Sequence, residues 1–152
     1  LSPVTDAILH LLGYLYENEG AYPENLLLLQ PTSPLRLSSD IDSAYELLRS
    51  PADSVVSICE SEVRLAWLKE LSPDGFLAPL PFFSGSQHAP RQASAPLYRL
   101  NGAVYWIKTE VFMEWKSFIT ENTVPWIMPH ERSVDIDTPF DLKLAEFLLE
   151  NK

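Results

Sequence analysis

Apolar positions change period several times along this chain, and each change predicts an element. Behind Ser2 and Pro3, which read as a helix start, Ala7, Ile8, Leu11, Leu12 and Leu15 recur at helical spacing until Glu19 and Gly20. This predicts an amphipathic helix. Leu26 to Leu29 are continuously apolar and end at a proline-containing turn, as expected of a short strand buried on both faces of a parallel sheet. Ser39, with Asp42 three residues later, has the form of a capping box. Ile41, Ala44, Tyr45 and Leu48 follow on one face, so a second helix is predicted to end near Ser50 and Pro51. Ser54 to Cys59 reads as a second buried strand. The order helix, strand, helix, strand favours right-handed crossovers in an α/β layer fold.

From about Glu60 to Pro96 the pattern breaks up, punctuated by Pro73, Gly75, Pro79, Pro81, Gly85, Pro90 and Pro96. The stretch is too apolar for a disordered linker, since it holds Trp67, Leu68, Leu71, Phe76, Leu77, Leu80, Phe82 and Phe83. It reads as an excursion from the sheet that packs on a neighbour or on another subunit. Asn101 and Gly102 suggest a tight turn, after which the sheet resumes with Ala103 to Lys108. A short helix is expected around Glu110 to Lys116, and a further strand at Trp126 to Met128. The last helix, Pro139 to Glu150, is the best marked: Thr138 caps it, Pro139 takes the first position and Asp141 completes the box. The chain carries no internal repeat.

Composition narrows the classes. A chain of 152 residues that is 46% hydrophobic suits a single domain with a sizeable core. No stretch approaches the roughly 20 apolar residues of a membrane-spanning helix. With 21 acidic against 11 basic side chains and a formal charge of −10, a non-specific polyphosphate backbone is a poor partner. A few placed arginines can still make a pocket for a small anion. The single Cys59 lies in an apolar run, so a buried inert thiol in a reducing, cytoplasmic compartment is expected. The residues present hold no secretory signal, although the chain opens on Leu1 without a methionine.

Three segments carry candidate chemistry. In Ser133 to Thr138 (SVDIDT), an extended backbone points Val134 and Ile136 one way and Ser133, Asp135 and Asp137 the other. Two carboxylates on one face suit a hard divalent cation such as Mg²⁺, which would offset their repulsion. The other reading is that Asp137 and Thr138 only start the last helix and Asp135 is a surface acid. Gln30 to Arg36 (QPTSPLR) follows a strand, where ligands of open α/β sheets bind; Gln30 would project its amide there and Arg36 could hold an anion. Equally, it is a rigid turn with a surface arginine. Finally, Arg91 and Gln92 in PRQ precede Tyr98 to Trp106 (YRLNGAVYW). Arg91 and Arg99 offer guanidiniums suited to a planar carboxylate, and Tyr105 and Trp106 point to opposite faces. Against this, Arg99 pairs with a nearby acid and one aromatic is core. His10, His88 and His130 lack the neighbours of a zinc site, and no Gly-rich phosphate loop or G-x-S-x-G is present.

Taken in order, QPTSPLR, SVVSIC, PRQ, YRLNGAVYWIKTE and SVDIDTPFDLKLAE resemble the acylneuraminate cytidylyltransferases, the CMP-sialic acid synthetases, from about Pro3 onward. The resemblance implies a Rossmann-like three-layer α/β/α nucleotidyltransferase fold. It also implies transfer of CMP from CTP to the anomeric hydroxyl of a nine-carbon 2-keto acid sugar of the sialic-acid type. It assigns Asp135 and Asp137 to Mg²⁺, Gln30 to the sugar and Arg91 to the sugar carboxylate, with Asn101 and Tyr105 lining the sugar pocket. It implies a homodimer built through the excursion. Two departures qualify it. The family's first strand and basic loop, of the type R-x-x-S-K-x-x-x-K-N, are absent, so the expectation is a fold incomplete at its N-terminus, inactive and weakly stable alone. A lysine of the sugar site in some members is replaced near Trp67, with Lys69 nearby, which leaves legionaminic, pseudaminic or N-acetylneuraminic acid open. The alternative is a naturally short, non-catalytic sugar-binding or interaction module of the same fold.

Overall fold

The computed structural model describes residues 4–49, 51–81 and 95–151. Contacts among them divide the chain into two compact units, Leu1–Cys59 with Leu100–Lys152, and Glu60–Arg99. The second unit covers the stretch expected to leave the sheet.

The first unit is built on a four-stranded sheet of order β1-β5-β2-β6, formed by Asn25–Leu28, Tyr98–Lys108, Ser54–Glu60 and Thr123–Ile127 respectively. Strand β1 pairs antiparallel with β5, and β2 pairs parallel with β6. Lys108 N donates to Asp53 O, and Val104 N to Ser57 Oγ, so β5 also runs against β2. The sheet is therefore mixed, which corrects the parallel arrangement expected for Leu26 to Leu29. A parallel neighbour needs a crossover connection, whereas the chain leaves β2 into residues 60–99 and re-enters at the same end as β5. Strand β1 is also only half-buried along its length, because among the described strands it has a partner on one side alone.

Helix α1 (Val4–Glu19) and α3 (Thr109–Trp115) cover one face of this sheet, where Leu12, Ile107 and Phe112 form a core with Ile8, Leu9 and Leu26 around it. Helix α2 (Ser38–Leu48) covers the other face, packing Ala44 and Leu48 on Val55, Val104 and Met128, with Leu27 and Trp106 alongside. Leu26 and Leu27, and Trp106 and Ile107, fall on opposite sides because strand side chains alternate. These are the three α/β/α layers expected. The face predicted for α1 shifts: Leu11 is 52% exposed, and Leu9 packs instead.

Helix α4 (Pro139–Glu150) starts as read, with Thr138 Oγ1 accepting from Asp141 N while Asp141 Oδ2 accepts from Thr138 N. The start of α2 differs from the Ser39–Asp42 box. It is Asp40 whose Oδ2 accepts from Leu37 N at 2.8 Å, since Asp40 points inward and is buried. Pro125 sits in β6, which has one partner among the described strands, so its missing N–H removes no ladder bond on the other side.

In the second unit, β3 (Lys69–Leu71) and β4 (Leu77–Pro79) pair antiparallel. Trp67, Leu71, Phe76 and Leu77 are exposed there, and Phe82 and Phe83 lie outside the described residues. Arg64 stacks over Trp67 at 5.9 Å, and Lys69 Nζ donates to Ala66 O.

Candidate functional site

The loops after β1 and β6 meet at the Asn101–Gly102 portion of β5. These two residues lie inside the strand rather than in the predicted turn, and the sheet begins again at Tyr98, not Ala103. The glycine was the misleading signal. Gly102 adopts φ +73°, and a Cβ there would run into Gln30 Oε1 and Ser33 Oγ. Its purpose is a close approach of backbone to side chains, a recognised use of glycine within a strand.

That approach fixes the Gln30 loop. Gln30 N donates to Gly102 O, Ser33 Oγ donates to Asn101 O at 2.8 Å, and Ser33 is fully buried. Arg36 Nη1 donates to the carbonyls of Gln30 and Ser33, at 2.9 and 2.6 Å. Arg36 thus braces its own turn, and burial lowers its pKa below the usual guanidinium value.

Asn101 is fully buried, and its amide is engaged on both sides. Its Oδ1 accepts from Ser57 Oγ at 2.6 Å and from Ala103 N, while its Nδ2 donates to Ser133 Oγ at 2.9 Å and to Met128 Sδ. As placed, it joins strands to the loop that carries Asp135. Ile136 N donates to Thr32 O, tying that loop to the Gln30 loop.

Asp135 holds the arrangement's sharpest feature: its Oδ1 is buried without a hydrogen-bond partner. Tyr105 is its neighbour. Burial first, and the Asp135 charge second, raise the Tyr105 hydroxyl pKa above its usual value, against a lowering contribution from the Gly102 N–H. The Tyr105 ring meets Phe118 edge-on at 5.8 Å. Asp137 is exposed, and the cap of α4 uses only its backbone N–H, which donates to Asp141 Oδ2. Starting a helix therefore does not consume its carboxylate. Arg99 is exposed near the start of β5, whereas Arg91 and Gln92 lie outside the described residues. Cys59 is buried and free, as expected of an inert thiol.

Sequence reasoning missed the inner partners. Arg132 donates through Nη2 and Nε to Asp40 Oδ1 and Oδ2, at 2.8 and 3.2 Å, and Trp126 Nε1 donates to the same carboxylate. Burial alone would raise the Asp40 pKa, but these donors and Leu37 N–H outweigh it and hold it below the usual range. Ser57, a hydroxyl in the middle of an apolar strand, was the available hint to the other cluster.

A groove of about 560 Å³ lies elsewhere, lined by Tyr22, Glu24, Tyr45, Arg49, Lys108 and Met113 among others. It sits at the far end of β5, away from Gln30 and Asp135. Its size is no argument for chemistry, because its charged rim mixes both signs.

The fold has a solved counterpart. It superposes on the crystal structure of 4-diphosphocytidyl-2C-methyl-D-erythritol synthase from Anaerococcus prevotii with a TM-score of 0.53, at 12% identity, over 89% of this chain and 64% of that one. By sequence, the chain resembles the acylneuraminate cytidylyltransferase family over nearly its whole length, as its motifs led us to expect. It is 32% identical over 150 residues to a CMP-N,N'-diacetyllegionaminic acid synthase of Legionella pneumophila, covering 98% of this chain and 63% of the relative. It is 36% identical over 119 residues to an N-acylneuraminate cytidylyltransferase of Streptococcus agalactiae, covering 78% of this chain and 28% of that protein. The Escherichia coli N-acylneuraminate cytidylyltransferase matches at 30% over 131 residues. The chain thus spans less than two-thirds of the length of these relatives. No protein-family model matches it.

Proposed function

We propose that the protein is a cytidylyltransferase that activates a sialic-acid-type nine-carbon 2-keto acid with CTP. The anomeric hydroxyl oxygen would attack the α-phosphorus, the bond from that phosphorus to the bridging oxygen would break, and pyrophosphate would leave as the hydroxyl proton is lost. The observation that carries this reading is the buried, unpartnered Oδ1 of Asp135 beside Tyr105, at the end of a sheet whose sequence matches proteins named for this activity.

A buried carboxylate oxygen without a donor is costly, and a hard cation is the partner its chemistry suits. Asp135 and Asp137 would hold Mg²⁺, which when bound neutralises charge on the transferring phosphoryl group. Gln30 and Tyr105 would orient the sugar, and the Asn101 network would keep that wall rigid. Pyrophosphate release by the full-length protein, supplied with CTP, Mg²⁺ and N-acetylneuraminic, legionaminic or pseudaminic acid in turn, tests the reading. Release with at least one sugar is expected; none with any of them rules the activity out.

A homodimer fits the exposed Trp67, Leu71, Phe76 and Leu77 of the second unit. A cytoplasmic location fits the free, buried Cys59. Among the described residues no helix is long and apolar enough to cross a membrane.

A further inference from the structure

Asp135 lies on a loop fastened from several sides. Arg132 is held by the buried Asp40, Ser133 Oγ accepts from Asn101 Nδ2 and donates to Pro129 O, and Ile136 N reaches Thr32 O. The link through Asn101 begins at Ser57, which is fully buried in the middle of β2. Ser57 Oγ accepts from Val104 N at 2.7 Å, which leaves its own proton to donate to Asn101 Oδ1 at 2.6 Å. With Ala103 N also donating to Oδ1, the amide is pinned with its NH₂ towards Ser133, two residues before Asp135.

We propose that Ser57 is a positioning residue: its hydroxyl orients Asn101, whose amide fixes Ser133 and so sets where the Asp135 carboxylate sits. The inference rests on the reading of Asp135 as a cation ligand. Physically, a carboxylate oxygen buried without a partner relaxes away unless its backbone is held, and groups behind a ligand tune affinity through such holding. The neighbours Val55, Val56 and Ile58 are apolar, and the Ser57 hydroxyl serves two partners: it accepts the main-chain Val104 N–H of β5 and donates to Asn101, so a variant at the far end of the link is needed to single out positioning.

The test is the Mn²⁺ affinity of the full-length protein in the presence of CTP, read by electron paramagnetic resonance well below the melting temperature. Ser57→Ala and Ser57→Cys should each weaken Mn²⁺ binding roughly tenfold. The cysteine variant is somewhat larger and is both a weaker donor to Asn101 and a weaker acceptor for Val104 N, so it weakens the hydrogen bonds while a side chain still fills the site. Ser133→Ala interrupts the same link at its other end and carries the test should Ser57→Ala fail to fold. Asp135→Asn is the control for the underlying reading. If Asp135→Asn weakens Mn²⁺ binding while the Ser57→Cys and Ser133→Ala variants bind like wild type, the inference is wrong and the metal assignment stands. If Asp135→Asn also binds like wild type, the metal assignment itself fails and takes the inference with it.

Discussion

The two ends of strand β5 make an instructive pair. At one end, Asn101 and Gly102 are packed against Gln30, Ser33, Ser57 and Ser133 with hardly any free space. At the other, Lys108 and Thr109 open onto the 560 Å³ groove. Each end contains a buried oxygen without a hydrogen-bond partner, Asp135 Oδ1 near the first and Thr109 Oγ1 at the second. The difference is charge. A hydroxyl left unpaired costs on the order of 1–3 kcal/mol, and an isolated carboxylate far more, so the first end is the one suited to a ligand of opposite charge. The open groove and the unpaired carboxylate therefore lie at opposite ends of the strand, and the proposed chemistry rests on the second.

The largest effect expected from this contrast is on turnover. Asp135→Asn in the full-length protein should lower CMP transfer by about 1,000-fold, equivalent to about 4 kcal/mol in the barrier, with the circular dichroism spectrum unchanged. Asp137→Asn should also cut turnover heavily, and normal activity in both variants would break the assignment of this end.

Next comes the clamp behind it. Asp40→Asn should cost about 3 kcal/mol in urea denaturation, because it leaves Arg132 facing a neutral group in a site where the Asp40 side chain is 2% exposed. The folded-state pKa of Asp40 lies below its unfolded value. Its stabilisation is therefore complete above the ordinary carboxylate pKa and is lost as pH falls through the lower, folded value. Wild type should lose stability more steeply than Asp40→Asn in that acid range, and parallel curves would show that the pair does not stabilise.

Gly102→Ala should cost about 2 kcal/mol, since a side chain at φ +73° is strained and its Cβ collides with Gln30 and Ser33. A melting temperature equal to wild type would mean that this end is looser than described. The smallest effect belongs to the groove. Arg49 pairs with Glu46 at 2.7 Å in a mostly exposed position, so Arg49→Ala should change stability by no more than about 0.5 kcal/mol and leave CMP transfer as it was. Loss of transfer in that variant would move the chemistry to the groove.

Local signals were legible where cause and effect lie within a few residues. The cap of α4 is written in Thr138, Pro139 and Asp141, and the buried strand β2 in Ser54 to Cys59. The spacing of Asp135 and Asp137 is local in the same way. Asn101-Gly102 was misread because a glycine at a turn and a glycine making room for a side chain look alike in one dimension, and the side chains in question come from residues 30 and 33. Arg132 and Asp40 stand 92 positions apart, and Ser57 and Asn101 44 apart, so no window of sequence contains either pair.

By itself, the sequence determined the alternation of helix and strand, the apolar interior and the order of motifs that ties the chain to its relatives, because periodicity, capping and motif order are properties of neighbouring positions. Only the tertiary structure decided that β5 runs antiparallel to both of its neighbours and that Ser57 is joined through Asn101 to Ser133. It alone distinguished the end of the sheet with an unpaired carboxylate from the end that is merely open. Those facts depend on which distant backbones the fold brings within hydrogen-bonding reach, and reach is a property of three dimensions.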